Sequence, residues 1–167
     1  GNDQWNTAGN WSSGAFPVAS GGASFTNSGN STVTVTTANS SLGTLDFDGS
    51  KSYAIGASGA GTLKFDNGAS AATITLAGTS SQSISAPVTL ASDLAVTSNA
   101  AGLTMSGGIG ESGSRSVTLS GGLLVLGGTN NYTGATTLNG GTLKMSGASA
   151  AATGSSVALI AGATVDL

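Results

Sequence analysis

The sequence predicts an all-β chain wound as a parallel β-solenoid, and three observations predict it. Short alternating segments recur along the chain, each with apolar residues at i and i+2, which puts both side chains on one face of a strand. Glycine is abundant, at 28 residues against two prolines and with no triplet period, so the chain turns corners often without being collagen-like. One segment also recurs almost unchanged, as Gly43-Thr44-Leu45-Asp46-Phe47-Asp48, Gly61-Thr62-Leu63-Lys64-Phe65-Asp66 and Gly141-Thr142-Leu143-Lys144-Met145-Ser146. The first two copies start 18 residues apart, a spacing that reads as one coil of a small triangular β-helix.

Residues 1–25 read as an N-terminal cap and 26–167 as the coils of a single domain. Both tryptophans of the chain, Trp5 and Trp11, lie in the first segment with Phe16 and Pro17, ahead of any regular repeat. The open end of a solenoid exposes its apolar core and needs such a cap. A platform for stacking carbohydrate is the other use of these rings. From Val33 and Val35 onward, inward pairs follow at Leu45 and Phe47, Tyr53 and Ile55, Leu63 and Phe65, and Ile74 and Leu76. Ile84, Val88 and Leu90, Leu94 and Val96, Leu103 and Met105, Val117 and Leu119, and Leu124 and Leu126 continue the series. Leu138, Leu143 and Met145, Val157 and Leu159, and Val165 and Leu167 close it. The outward positions are mostly Thr, Ser and Ala, which tolerate like neighbours stacked about 4.8 Å apart where charges do not. Asn-Gly, the strongest short hairpin signal, occurs only at Asn67-Gly68 and Asn139-Gly140. An immunoglobulin-like sandwich shares this rhythm and is the competing architecture.

Composition narrows the chemistry. The net charge is −3 with only four basic residues, which argues against a phosphate-binding surface and so against nucleic acid. No run approaches the roughly 18 apolar residues of a membrane span. Few lysines beside an excess of Ser, Thr, Gly and Asn point to a secreted or cell-surface protein. Gly1 reads either as the first residue after leader cleavage or as a residue left by expression.

There is no histidine or cysteine, hence no imidazole base and no thiol nucleophile. Of the seven carboxylates, only Asp46, Asp48 and Asp66 group with a cation, Lys64. Asp46 and Lys64 follow the Leu of successive near-copies, so they are expected to stack on adjacent coils and pair as a weak surface contact. Asp46-Phe47-Asp48-Gly49 hints at a calcium loop but lacks the 12-residue spacing and the closing Glu. The Gly-Gly pairs precede neither a helix nor Lys-Ser/Thr, so they read as corners rather than phosphate loops. The expectation is a protein that is not an enzyme, with no metal and no cofactor.

Gly122-Leu-Leu-Val-Leu-Gly-Gly-Thr-Asn-Asn-Tyr-Thr-Gly-Ala-Thr-Thr-Leu-Asn-Gly-Gly-Thr-Leu143 resembles the autotransporter-associated β-strand repeat, also called the passenger-associated transport repeat. The shared pattern is a Gly-x-Leu-x-Leu strand, an Asn-x-Tyr-Thr-Gly corner, a Thr-Thr-aliphatic strand and then Gly-Gly-Thr-Leu. Asn131, Tyr132, Thr133 and Gly134 sit at the corner between the two strands. The opening Trp5, Asn10-Trp11, Pro17 and Ala23-Ser24-Phe25 is similar to the start of mature proteins carrying these repeats, while residues 30–120 resemble the family only in rhythm. The resemblance implies a right-handed parallel β-helix, secreted by a bacterium and displayed at its surface, often as an adhesin. The chain departs from the autotransporter pattern in having no translocating barrel. It is therefore expected to be either an excised passenger segment or a small protein that never had one.

The last strands, at Val157-Ala158-Leu159-Ile160 and Ala163-Thr164-Val165-Asp166-Leu167, alternate with no plug after them. An uncapped coil leaves unpaired backbone and an open core. The expected assembly surface is therefore Trp5, Trp11 and Phe16 at one end and Val157, Leu159, Val165 and Leu167 at the other. The expected partner is a further copy stacked end to end in a surface or matrix filament, with cell-surface or matrix glycans as a second candidate.

Overall fold

The computed structural model describes residues 4–11, 15–98, 102–147, 152 and 154–167. Apart from one 3-10 turn at Ala8–Asn10, its elements are strands, and every ladder between them is parallel. The fold is a β-solenoid with three faces. Face one carries β1 (Gly22–Phe25), β4 (Thr44–Phe47), β7 (Ala72–Leu76) and β10 (Leu94–Ser98). Face two carries β2 (Thr32–Val35), β5 (Ala54–Ala57), β8 (Gln82–Ile84) and β11 (Leu103–Met105). Face three carries β3 (Ser40–Leu42), β6 (Leu63–Phe65), β9 (Val88–Leu90) and β12 (Ile109–Glu111).

Faces one and two merge in the later coils. The ten-residue strands β13 (Val117–Leu126) and β14 (Thr136–Met145) each run along face one, bend, and continue along face two. In β13 the bend falls at Gly121 and Gly122, whose φ angles of 96° and 66° L side chains rarely adopt, and β14 has Gly141 at φ 78°. The last coil carries β15 (Val157–Leu159) on face one and β16 (Thr164–Asp166) on face two, both paired to β14.

Alternation within each strand builds the core. In β7, Ala72, Ile74 and Leu76 are buried while Thr73 and Thr75 are half-buried on the outside. Stacking repeats that choice from coil to coil. Ala23, Leu45, Ile74, Val96, Leu119, Leu138 and Leu159 form one inward column of seven rungs. Fully burying one of the Leu, Ile or Val side chains of this column contributes on the order of 1.5–3 kcal/mol against an extended chain.

The same column corrects the expected period. Its steps are 22, 29, 22, 23, 19 and 21 residues, so no coil has the 18 residues between the first near-copies. The three copies lie on three different faces instead, in β4 on face one, β6 on face three and β14 on face two. Gly-Thr-Leu marks a corner followed by a strand start, and every face begins at a corner. Asp46 and Lys64 therefore do not pair. Asp46 stacks between Ser24 and Thr75, and Lys64 between Ser41 and Thr89.

The N-terminal end is filled with rings. Gln4 bridges Thr34 in parallel, Trp5 N–H donates to Thr34 O at 2.8 Å, and Trp11 Nε1 donates to Trp5 O at 2.7 Å. The two indoles meet edge to face at 4.9 Å, and Phe25 passes the contact on to Phe47 at 5.4 Å, stacked, and to Tyr53 at 4.9 Å. Because β1 pairs with β4 over Gly22–Phe25, the coils begin inside the segment expected to be only cap.

Candidate assembly end

The site is built where the inward columns run out. One rung before the end, Leu138 and Leu143 are fully buried. On the last rung Val157 is 40% exposed, Leu159 51% and Leu167 91%, with Val165 packed against the core only in part. Leu159 continues the column of Leu138, and Val165 that of Leu143. The alternation that hides their predecessors places these residues on the last described rung, which no further described strand covers. Ile160, just beyond β15, adds a further exposed apolar side chain at 54%. Sequence reading passed over it, because an i, i+2 pattern through Val157 and Leu159 assigns it an outward position.

Two strand edges come with this apolar surface. Among the described residues, β14 is the one strand partner of both β15 and β16. No described strand lies against their outer edges, and the N–H and C=O groups of such an edge are a template for another strand. A single ion pair closes the side, Lys144 Nζ to Asp166 Oδ2 at 2.8 Å, with both side chains half exposed. Such a pair holds register and contributes at most about 1 kcal/mol.

The N-terminal residues expected in the same surface divide. Trp5 is fully buried inside the cap, so it offers nothing to a partner, and Trp11 is half-buried against it. Neither ring is laid open as a platform for sugar. Phe16, 40% exposed, does lie on the outside, joined by Val18 at 61%, which the sequence reading did not single out. Among the described residues β4 is the one strand partner of β1.

The polar candidates resolve into corner chemistry. Lys64 bonds Asp66 within its own strand end at 2.9 Å, and this bond, with the Gly68 N–H, holds the Asp66 carboxyl below its usual range. Glu111 accepts from Thr133 Oγ1 and from the Arg115 backbone N–H, each at 2.7 Å. No group of three or more acidic side chains suited to a metal occurs among the described residues. A shallow hydroxyl-lined groove of about 330 Å³ follows face two past Ser31, Tyr53, Gln82 and Thr104. Two of its lining side chains are engaged inside the protein. Gln82 Oε1 accepts from Tyr53 N–H at 2.7 Å, and Tyr53 Oη donates to the carbonyls of Thr26 and Ser28.

The Asn-x-Tyr-Thr-Gly corner is likewise built to hold the solenoid together. Buried Asn130 accepts from Ile109 N–H at 3.1 Å, standing in for a backbone carbonyl where face three has no strand in that coil. Buried Tyr132 shares a 2.8 Å hydrogen bond with Thr136. A Cβ on Gly134 would lie 2.3 Å from Arg115 O.

Comparison with family models, with curated proteins and with solved structures returns no match.

Proposed function

We propose that this chain is a non-enzymatic structural protein, a β-solenoid subunit that stacks end to end into a filament outside the cell, at a surface or in a matrix. One observation carries the reading. The last described coil exposes Val157, Leu159, Ile160 and Leu167 beside edges of β15 and β16 that no described strand covers. An apolar end framed by unpaired strand edges is what a further coil of the same kind would cover. Contact between unlike ends does not close on itself and so builds a filament. The extracellular setting is supported by the scarcity of lysine and the Ser/Thr/Asn-rich surface.

Sedimentation and negative-stain microscopy of the purified chain test this. Fibres or a concentration-dependent ladder of oligomers are expected at micromolar concentration. Val165→Lys, which puts a charge into the open end, is expected to return the protein to monomers while its β-type circular dichroism is kept. A wild-type chain that stays monomeric would overturn the reading. A monomer that instead binds a glycan through a side face would replace it with the adhesin reading.

A further inference from the structure

Asn67-Gly68 turns the corner between β6 and β7, and Asn139-Gly140 lies inside β14, so neither makes the hairpin that this dipeptide usually marks. The dipeptide also carries a reactivity of its own. With no Cβ on the glycine, its amide nitrogen can close onto the side-chain carbon of the asparagine before it. The fold treats the two sites in opposite ways.

Asn67 is held at the groups this reaction needs. Its Nδ2 donates to Ala71 O and its backbone N–H to Ser92 Oγ, each at 2.9 Å, and its carbonyl accepts from Ser70 N–H at 3.2 Å. Gly68 N–H, the group that must lose its proton, donates to Asp66 Oδ1 at 3.3 Å. A carboxylate so close opposes negative charge on that nitrogen, so it suppresses the nucleophile as well as tethering it.

The Asn139 side chain is exposed and makes no hydrogen bond among the described residues. β13 pairs Leu119 with Leu138 and then Ser120 with Gly140, so Asn139 is the extra residue of a bulge, with nothing opposite it. A bulge disrupts the ladder around its extra residue. On the other edge of β14, pairing with β15 stops at Leu138 and pairing with β16 resumes at Thr142. The Asn139–Gly140 peptide therefore lies in a gap between two ladders. A Cβ built on Gly140 would have its nearest neighbour, Gly121 N, at 3.8 Å, which leaves room for a ring to close.

We infer that Asn139 is a site of spontaneous covalent modification, deamidating through a succinimide in the folded protein while Asn67 is protected. The Gly140 nitrogen, its proton lost to hydroxide, attacks Asn139 Cγ. The new C–N bond closes a five-membered imide, and the bond to Nδ2 breaks to release ammonia, which takes its proton from water and regenerates hydroxide. Water then opens the imide at either carbonyl, giving aspartate or isoaspartate, and no electron changes hands. Each event replaces a neutral amide by a carboxylate and takes the net charge from −3 to −4. Isoaspartate also lengthens the main chain by one atom, at a bulge that already carries an extra residue, so the coil is expected to persist.

The test incubates the chain, folded and in urea, at pH 8 in water enriched in oxygen-18, followed by peptide mass mapping. In the folded protein Asn139 is expected to convert at least about tenfold faster than Asn67, each event marked by an oxygen from solvent. In urea the two rates should fall within about twofold of each other. Gly140→Ala is expected to slow Asn139 about tenfold with the circular dichroism unchanged. Asp66→Ala, checked in the same way for its fold, should speed Asn67 severalfold and leave Asn139 as it was. Equal rates at the two sites of the folded protein would overturn the inference, as would an Asn139 that reacts in urea and is stable when folded. An Asn67 no faster in Asp66→Ala would overturn its protection by the carboxylate.

Discussion

At the scale of single residues, the interior is less uniformly apolar than alternation suggests. Asn130 is fully buried, accepts from Ile109 N–H, and donates through Nδ2 to Gly127 O at 3.3 Å. Replacing it with alanine strands a buried donor and acceptor, each costing about 1–3 kcal/mol. Asn130→Ala is accordingly expected to lower the urea midpoint by an amount equivalent to at least about 2 kcal/mol, with no change of secondary structure. Tyr132 gives a pH-dependent version of the same argument. Burial raises its hydroxyl above the ordinary value near 10, opposed only in part by the bond to Thr136. A raised folded-state value means that the contribution is complete below the ordinary phenol range and is lost as pH climbs through the raised one. The melting temperature of the wild type is expected to fall more steeply between pH 9 and 11 than that of Tyr132→Phe. Some decline remains in the variant, because burial raises Tyr53 in the same direction. These roles were not legible in sequence. Asn130 reads as a turn residue, and only the stack beneath it reveals that it replaces a strand.

At the scale of elements, strands were legible and their placement was not. Two-residue alternation through Ile74 and Leu76, or Leu94 and Val96, marks a face unambiguously, and those residues are buried. Leu42 and Ile109 escaped notice because their short strands carry one large inward residue each, beside Ser40 or Glu111. Assigning strands to coils failed for a different reason. Corner loops vary in length, so equal sequence spacing does not mean equal height, and Gly-Thr-Leu recurs at corners of all three faces. Two corner glycines, Gly122 between faces one and two and Gly59 between faces two and three, give a paired test. A Cβ at Gly122 would sit 2.6 Å from Ser98 Cβ in addition to the left-handed backbone, whereas Gly59, with φ of 60°, has nothing within 4 Å. Gly59→Ala is expected to lose about 1–2 kcal/mol from the backbone conformation alone. Gly122→Ala should lose clearly more, since Ser98 must also move. Equal urea midpoints for the two variants would show that the bend relaxes freely.

At the scale of the whole molecule, a stack of coils that touch only their neighbours has stability that varies along its axis. Leu159 is half exposed on the last rung, while Ile74 in the same column lies fully buried with a coil on either side. Ile74→Ala opens a cavity in the core and is expected to cost about 2–5 kcal/mol in chemical unfolding. Leu159→Ala removes a side chain that still meets water, so its cost to the isolated chain should stay well below that of Ile74→Ala. On the proposed end-stacking the order reverses for association, because Leu159 would lie at the joint and Ile74 would not. Hydrogen exchange joins the two statements. In dilute monomer, the amides of β15 and β16 are expected to exchange first, and those of β7 and β10, covered from both sides, last. If the chain stacks through its last described coil as proposed, protection should rise most in β15 and β16, whose edges would gain a partner. A uniform rise along the solenoid would point instead to lateral association of the Thr- and Ser-bearing faces, and would move the proposed site of association from the last coil to the side of the solenoid.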